Sequence, residues 1–349
     1  MPPAPKNAPQ ILKLTQDEYF SDDPSVLRKR ERPLLLSNFN GIAVSAPKRV
    51  DIDRRDCLPL VLARRCNGER DWDVPLQQNC FVVGTDMHDG AVHLARAFAT
   101  DRERASRRAH QEGGPRTRPN NLPVSSVAIH RFDAAELLSI QWQPGTWWLG
   151  AINYDWKART VKTHLTSEKT QPPSPPAARE VYPAPNLNEP AGGSLPRYRL
   201  PPWLWRFTPG ASQKTRFAAE HTCPEEGRAS LTVHARFATT VREYHLGRGG
   251  DAAVHRLPNG KKVEVAAVVP VTFALFQLGS RAPYRYDWAV PVYCEQTLQP
   301  GMPATGQFAI DACATDPSGG PPPGTYAAYL LLDGMICGPQ MVQSTTTEK

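Results

Sequence analysis

The chain has 349 residues, 40% of them hydrophobic, which is room for two or three domains with ordinary cores and excludes wholesale disorder. Its 36 prolines are about one residue in ten, roughly twice the average usage, and a ring that removes a backbone donor excludes a helical bundle or solenoid. Forty-one basic against 34 acidic residues leave a formal charge of +7, modest for this length, so nucleic acid is not the expected partner unless that charge gathers on one face.

In chain order, residues 1–32 are polar and charged, with Ser21-Asp22-Asp23-Pro24 and the run Arg28-Lys29-Arg30-Glu31-Arg32. They read as a polar N-terminal arm, loose or leading into a strand. No apolar core of signal-peptide length follows Met1-Pro2-Pro3-Ala4-Pro5-Lys6, and no run of 18 apolar residues occurs, so neither a secretory leader nor a membrane span is expected.

Residues 33–165 alternate short apolar runs with turn residues: Ile42-Ala43-Val44, Val50-Asp51-Ile52, Leu60-Val61-Leu62, Phe81-Val82-Val83 and Val92-His93-Leu94. Their β-branched content and their spacing, roughly 8–12 residues, suit an antiparallel sandwich. An insertion at 99–120 holds Arg102, Arg104, Arg107, Arg108, Arg116 and Arg118 among Gly113, Gly114, Pro115 and Pro119, and reads as a solvated loop that can grip an acidic partner. Asp133, with Glu136 three residues on, has the form of a capping box and predicts a short helix over Ala134–Leu138. Thr146-Trp147-Trp148 after Pro144-Gly145 predicts a strand start. Alternation then puts Trp148, Gly150, Ile152, Tyr154 and Trp156 on one face and Leu149, Ala151, Asn153 and Asp155 on the other, with Trp148 and Trp156 expected in the core.

Residues 166–227 read as a proline-rich linker, since 166–225 alone hold 12 of the prolines. Within it Pro201-Pro202-Trp203-Leu204-Trp205-Arg206-Phe207 shows no strand alternation. Trp203, Trp205 and Phe207 are expected to dock as a clamp between the domains or to offer a partner surface. Residues 228–345 return to strand texture at Ala229–Ala238, Lys262–Val268, Val271–Leu278, Gln307–Ala312 and Thr325–Leu332.

The two structured zones share matches in one order. Pro47-Lys48-Arg49-Val50 is echoed by Gly260-Lys261-Lys262-Val263, and Leu58–Ala63 by Val269–Ala274. Asp71-Trp72-Asp73-Val74-Pro75-Leu76 is echoed by Asp287-Trp288-Ala289-Val290-Pro291-Val292, and Pro144–Trp147 by Pro323–Tyr326. This order suggests a duplicated unit with a decorated loop in the first copy. The expected fold is therefore all-β: two tandem antiparallel β-sandwich domains, immunoglobulin-like or fibronectin-like in architecture, joined by the proline-rich linker.

Chemistry is sparse. There is no G-x-S-x-G, S-x-x-K, H-E-x-x-H or Walker A pattern. The seven cysteines (57, 66, 80, 223, 294, 313, 337) are an odd number without C-x-x-C spacing, which suits buried reduced thiols in a cytoplasmic protein. His88 and His93, with Asp86 and Asp89, are the tightest set of candidate metal ligands, though a distant residue would have to complete it. His234, His245 and His255 recur across candidate hairpins. No cofactor is implied. The expectation is a non-catalytic binding or accessory protein that captures a protein or glycan partner through Arg102, Arg104, Arg107, Arg108, Trp203, Trp205 and Phe207. The alternative is an enzyme whose site converges from distant loops, metal-assisted at His88 and His93.

Overall fold

A computed structural model describes residues 11–67, 79–98, 125–154, 156–173, 216–222, 230–245, 253–256, 262–265, 268–293, 299–316 and 320–344. They are mostly strand with few helices, so the chain is all-β as expected. No helix among them is long and apolar enough to cross a membrane. The chain divides into two compact units: Met1–Gly84, His93–Pro172 and Leu278–Ala282 form the first, and Thr85–Val92, Pro173–Gln277 and Pro283–Lys349 the second.

The N-terminal half carries helices α1 (Gln16–Tyr19) and α2 (Pro24–Leu36), then strands β1 (Gly41–Ser45), β2 (Arg49–Asp51), β3 (Pro59–Asn67), β4 (Cys80–Asp86), β5 (Val92–Arg96) and β6 (Ser125–Asp133). Helix α3 (Ala134–Leu138) and strands β7 (Gly145–Asn153), β8 (Trp156–Lys157) and β9 (Val161–Thr166) complete it. One sheet runs β1-β3-β6, the other β2-β9-β7-β4-β5 with β8 beside β7. All the registered pairs are antiparallel except β2 with β9. Alternate residues of both sheets feed one core: Ile42 and Val44, Leu60 and Leu62, Val82, Trp147, Leu149 and Ala151, and Leu165. The predicted helix is present as α3, with the Asp133 carboxylate accepting from the Ala135 and Glu136 N–H groups.

Two expectations are corrected here. From residue 11 on, the expected N-terminal arm is helical and packed rather than loose or a lead-in strand. Thr15 and Glu18 form a reciprocal capping box at α1, and Asp23 caps α2 with Pro24 in its first turn. Leu12, Leu34 and Phe39 pack with Ala43 and Ala63 on the face of β1-β3-β6 that points away from the main core. From that face Arg65 donates to the Leu35 carbonyl (3.1 Å) and to Phe39 O, and Arg131 to the Tyr19 carbonyl (3.2 Å) and to Ser21 O. Two guanidiniums thus take up carbonyls that the helix ends leave open. The second correction is in β7, where Trp147, not Trp148, fills the core; the alternation holds but the core lies on the Leu149 side.

The C-terminal half holds β10 (Arg216–Thr222), β11 (Ser230–Thr240), β12 (Ala253–Arg256), β13 (Lys262–Val265), β14 (Val268–Gln277), β15 (Tyr284–Tyr293), β16 (Pro303–Asp311), β17 (Gly324–Leu332) and β18 (Met335–Ser344). Seven of these form one path, β10-β11-β16-β15-β14-β17-β18, with β12 and β13 a separate pair. Strand β15 makes the path continuous: its residues 284–291 lie in register with β14, while Val292 and Tyr293 pair with Gly306 and Thr305 of β16. Gly306 is also the register partner of Phe237 in β11. A Cβ on Gly306 would stand 2.1 Å from the Phe237 ring, so only a bare Cα fits beneath it. The two ends of the path meet through a side chain: the Gln340 carboxamide accepts from the Ala219 N–H (2.9 Å) and donates to the Ala219 carbonyl (3.0 Å).

Inside, Leu231, Val233, Ala235 and Phe237 face Val271, Phe273 and Leu275, Trp288, Phe308 and Ile310, and Tyr326, Ala328 and Leu330 in one core. Ala274, Phe276, Ala327, Tyr329 and Leu331, on the other face of β14 and β17, are buried too, which is why these strands read as nearly unbroken apolar runs.

Two of the sequence echoes do not occupy matching places. Asp71–Leu76 lies outside the described residues. Leu58–Ala63 falls in β3 and Pro144–Trp147 opens β7, in different sheets, whereas Val269–Ala274 and Pro323–Tyr326 fall in β14 and β17, which are neighbours in one sheet. Pairing therefore gives the duplication no support.

The contact at Gly306 predicts that Gly306→Ala lowers unfolding free energy by about 2 kcal/mol, the usual scale of core overpacking. In the Phe237→Leu background, measured by urea denaturation, the same substitution should cost clearly less, because the ring that it strikes is gone.

Candidate functional site

Of the residues singled out from sequence, Arg102, Arg104, Arg107, Arg108, Trp203, Trp205 and Phe207 lie outside the described residues. His93 is on β5, its Nδ1 3.2 Å from the Leu138 carbonyl and its ring edge-on to Trp147 at 5.2 Å. His88 sits in the turn after β4, where its backbone N–H donates to the Asp86 carboxylate (2.8 Å) and the Asp89 carboxylate accepts from Ala91 N–H (2.7 Å). These are turn-forming uses of aspartate. Among the described residues no group of three or more His, Cys, Asp or Glu side chains is placed to hold a metal ion. His234, His245 and His255 fall on β11, in the short helical turn Glu243–His245, and on β12.

The neighbours of His245 are those of a proton relay. Its Nε2 lies 3.3 Å from Asp333 Oδ1, and Thr239 Oγ1 donates to the other oxygen of the same carboxylate. The Arg242 backbone N–H donates to His245 Nδ1 at 3.0 Å, so in the neutral ring the proton is on Nε2, toward Asp333. Nδ1 is taken by the Arg242 N–H and Nε2 faces the Asp333 carboxylate, the hydroxyl points at the carboxylate rather than the imidazole, and the side chains are 0% and 4% exposed. A general base must present a free nitrogen to its substrate, and this one does not. The trio ties the turn after β11 to the turn between β17 and β18, where Asp333 takes φ +48.

Two of the described thiols are withdrawn. Cys57, Cys80, Cys313 and Cys337 form no disulfide, and Cys80 and Cys313 are buried. Burial pushes the Cys80 thiol far above the ordinary range; at Cys57 burial, reinforced by Asp133 and Asp56, acts in the same direction. None of these shifts favours a thiolate nucleophile.

The grouping that sequence reasoning missed lies on the outer face of β2-β9-β7. In Val161-Lys162-Thr163-His164-Leu165-Thr166 the residues Thr163 and Leu165 point inward and are buried, and Lys162 and His164 point out. Register sets Arg49 of β2 beside His164 and Thr146 of β7 on its other side, and Trp148 opposite Lys162. Adjacent strands are about 4.8 Å apart, so these side chains form one patch. Thr146 Oγ1 and His164 Nδ1 are 2.9 Å apart, and Arg49 Nε donates to Thr166 Oγ1 at 3.1 Å. Lys48, Arg49 and Lys162 are exposed, Trp148 and His164 half-buried. Among the described residues no carboxylate pairs with Lys48, Arg49 or Lys162. Desolvation first, then the positive charges of Lys162 and Arg49, hold the His164 imidazole below the usual histidine range. The alternation of β9 was visible in sequence; its partners on β2 and β7 were not.

No protein-family model matches the chain, and no curated protein gives a significant match to it.

Two outcomes follow from this geometry. Asp333→Asn keeps a residue that tolerates the left-handed turn but removes an acceptor facing a buried donor, and should cost about 2 kcal/mol in chemical denaturation. In an NMR titration, His164 should have its midpoint below that of an unperturbed imidazole, and Lys162→Gln should raise it, since removing a cation favours protonation.

Proposed function

We propose that this chain is a non-catalytic binding or accessory protein that captures a protein or glycan partner. In this reading its two units are tandem β-sandwiches of the immunoglobulin-like or fibronectin-like kind, with 166–227 as the tether. One observation carries it: His245, His93 and the buried thiols are held within the fold, while the side chains turned outward on β2-β9-β7 are cations, an imidazole and an indole. His245 is held by Arg242 and Asp333, and His93 sits against Leu138 and Trp147. Arg49, Lys162 and the half-buried Trp148 share one outward face. Cations and aromatic rings are the side chains that anchor interfaces. The arginines at 102, 104, 107 and 108 and the rings at 203, 205 and 207 extend the same chemistry in the sequence. The free thiols support a cytoplasmic setting.

Removing residues 101–118 tests the reading. The shortened protein should keep the melting temperature of the full chain and lose most of its capture of co-purifying partners. Capture of every partner at undiminished yield would rule the loop out as the contact.

A further inference from the structure

The patch on β2-β9-β7 has three properties that narrow what it fits. First, its unpaired charge is of one sign: the carboxylate on the same face of β2, Asp51, is taken by Arg54 at 3.2 Å. Arg49 and Lys162 flank His164 from the neighbouring strand and from its own, Lys48 precedes Arg49, and none of the three cations has a carboxylate partner among the described residues. Cations held together without counter-charges repel one another, a cost that an anion relieves on binding. Second, the charges are set on strands rather than on a loop. Lys162 and His164 are two residues apart on β9, about 6.6 Å, with Arg49 one strand over at about 4.8 Å. A fixed lattice of that kind suits a chain with repeating anionic groups better than one compact ion. Third, among the described residues it has one indole platform. Trp148 stands directly opposite Lys162, with the Thr146 hydroxyl two residues along β7. Single-stranded nucleic acid is held by stacking successive bases on several rings. One indole beside a hydroxyl and a cation matches a sugar ring whose apolar face stacks while its substituents accept hydrogen bonds.

We propose that the outer face of β2-β9-β7 binds a linear polysaccharide bearing sulfate or carboxylate groups, with Trp148 under a sugar ring and Arg49, Lys162 and His164 on its anions. This deepens the binding reading above and rests on it.

Heparin is the probe, its chemically desulfated form and a single-stranded oligothymidylate the comparisons, and the full chain is used throughout. Wild type should bind heparin with an affinity that falls as salt is raised. Arg49→Gln and Lys162→Gln should each weaken it about fivefold, the order expected for one cation lost from an anionic surface. Lys29→Gln, on exposed α2, makes the same change in net charge and should alter affinity less than about twofold. Trp148→Leu keeps bulk but removes the ring, and should weaken both heparin and the desulfated chain; its melting temperature, measured alongside, separates lost stacking from lost folding. Oligothymidylate should bind equally well with or without Trp148.

The inference is overturned if Arg49→Gln and Lys162→Gln behave like Lys29→Gln, or if a folded Trp148→Leu binds heparin as wild type does. It is overturned equally if oligothymidylate depends on Trp148 more than heparin does. Should the patch variants leave heparin binding unchanged while the 101–118 deletion still abolishes partner capture, the glycan assignment falls and the binding reading stands.

Discussion

The C-terminal half depends on a place where one ring needs another residue to have no side chain. Phe237 lies across Gly306, its register partner, and Gly306 is also where β16 receives the end of β15. Strands β10, β11 and β16 on one side and β14, β17 and β18 on the other form a single path only because β15 changes partners at Val292. A side chain at 306 would lift Phe237 out of the core it shares with Phe308 and Trp288. An aromatic ring over a bare strand position fills space that glycine leaves and fixes the register there. From that fixed point the remaining apolar residues on alternate positions fall into place on both leaves.

The same economy governs the polar groups. Arg65 and Arg131 serve helix and loop carbonyls at the N-terminal strap, and the His245–Asp333–Thr239 trio joins two turns. A buried polar group without a partner is costly, so each is matched to another. The consequence for function is selective. His245, Cys80 and Cys313 are withdrawn from solvent, and what faces outward on β2, β9 and β7 is cations, the His164 imidazole and an indole held at fixed spacing.

How much of this was legible depended on how far apart in sequence the interacting residues lie. The runs at Ile42–Val44, Leu60–Leu62 and Phe81–Val83 became β1, β3 and β4 because β-branched content and turn residues act locally. Asp133 and Glu136 announced α3 for the same reason. The strap's signals are equally local, Thr15-x-x-Glu18 and Asp23-Pro24 marking two helix starts, but the dense charge of Arg28–Arg32 has the composition of a solvated segment. Period-two alternation divided β7 into two faces correctly and could not say which one was inward, since Trp147 and Trp148 are chemically alike. The Arg49–His164–Thr146 row was out of reach, because it exists only through a parallel pairing of β2 with β9 that no local pattern encodes.

The bond between Gln340 and Ala219 sets the seam of the C-terminal sheet apart from its other joints. A ladder of main-chain hydrogen bonds is nearly indifferent to side-chain identity, so mutation rarely dissolves it. Where a carboxamide stands in for a peptide group, that indifference is gone. The outermost strands are then joined by side-chain identity at residue 340 together with the core that Ala219 and Val342 share, so this joint is the one most open to change by substitution.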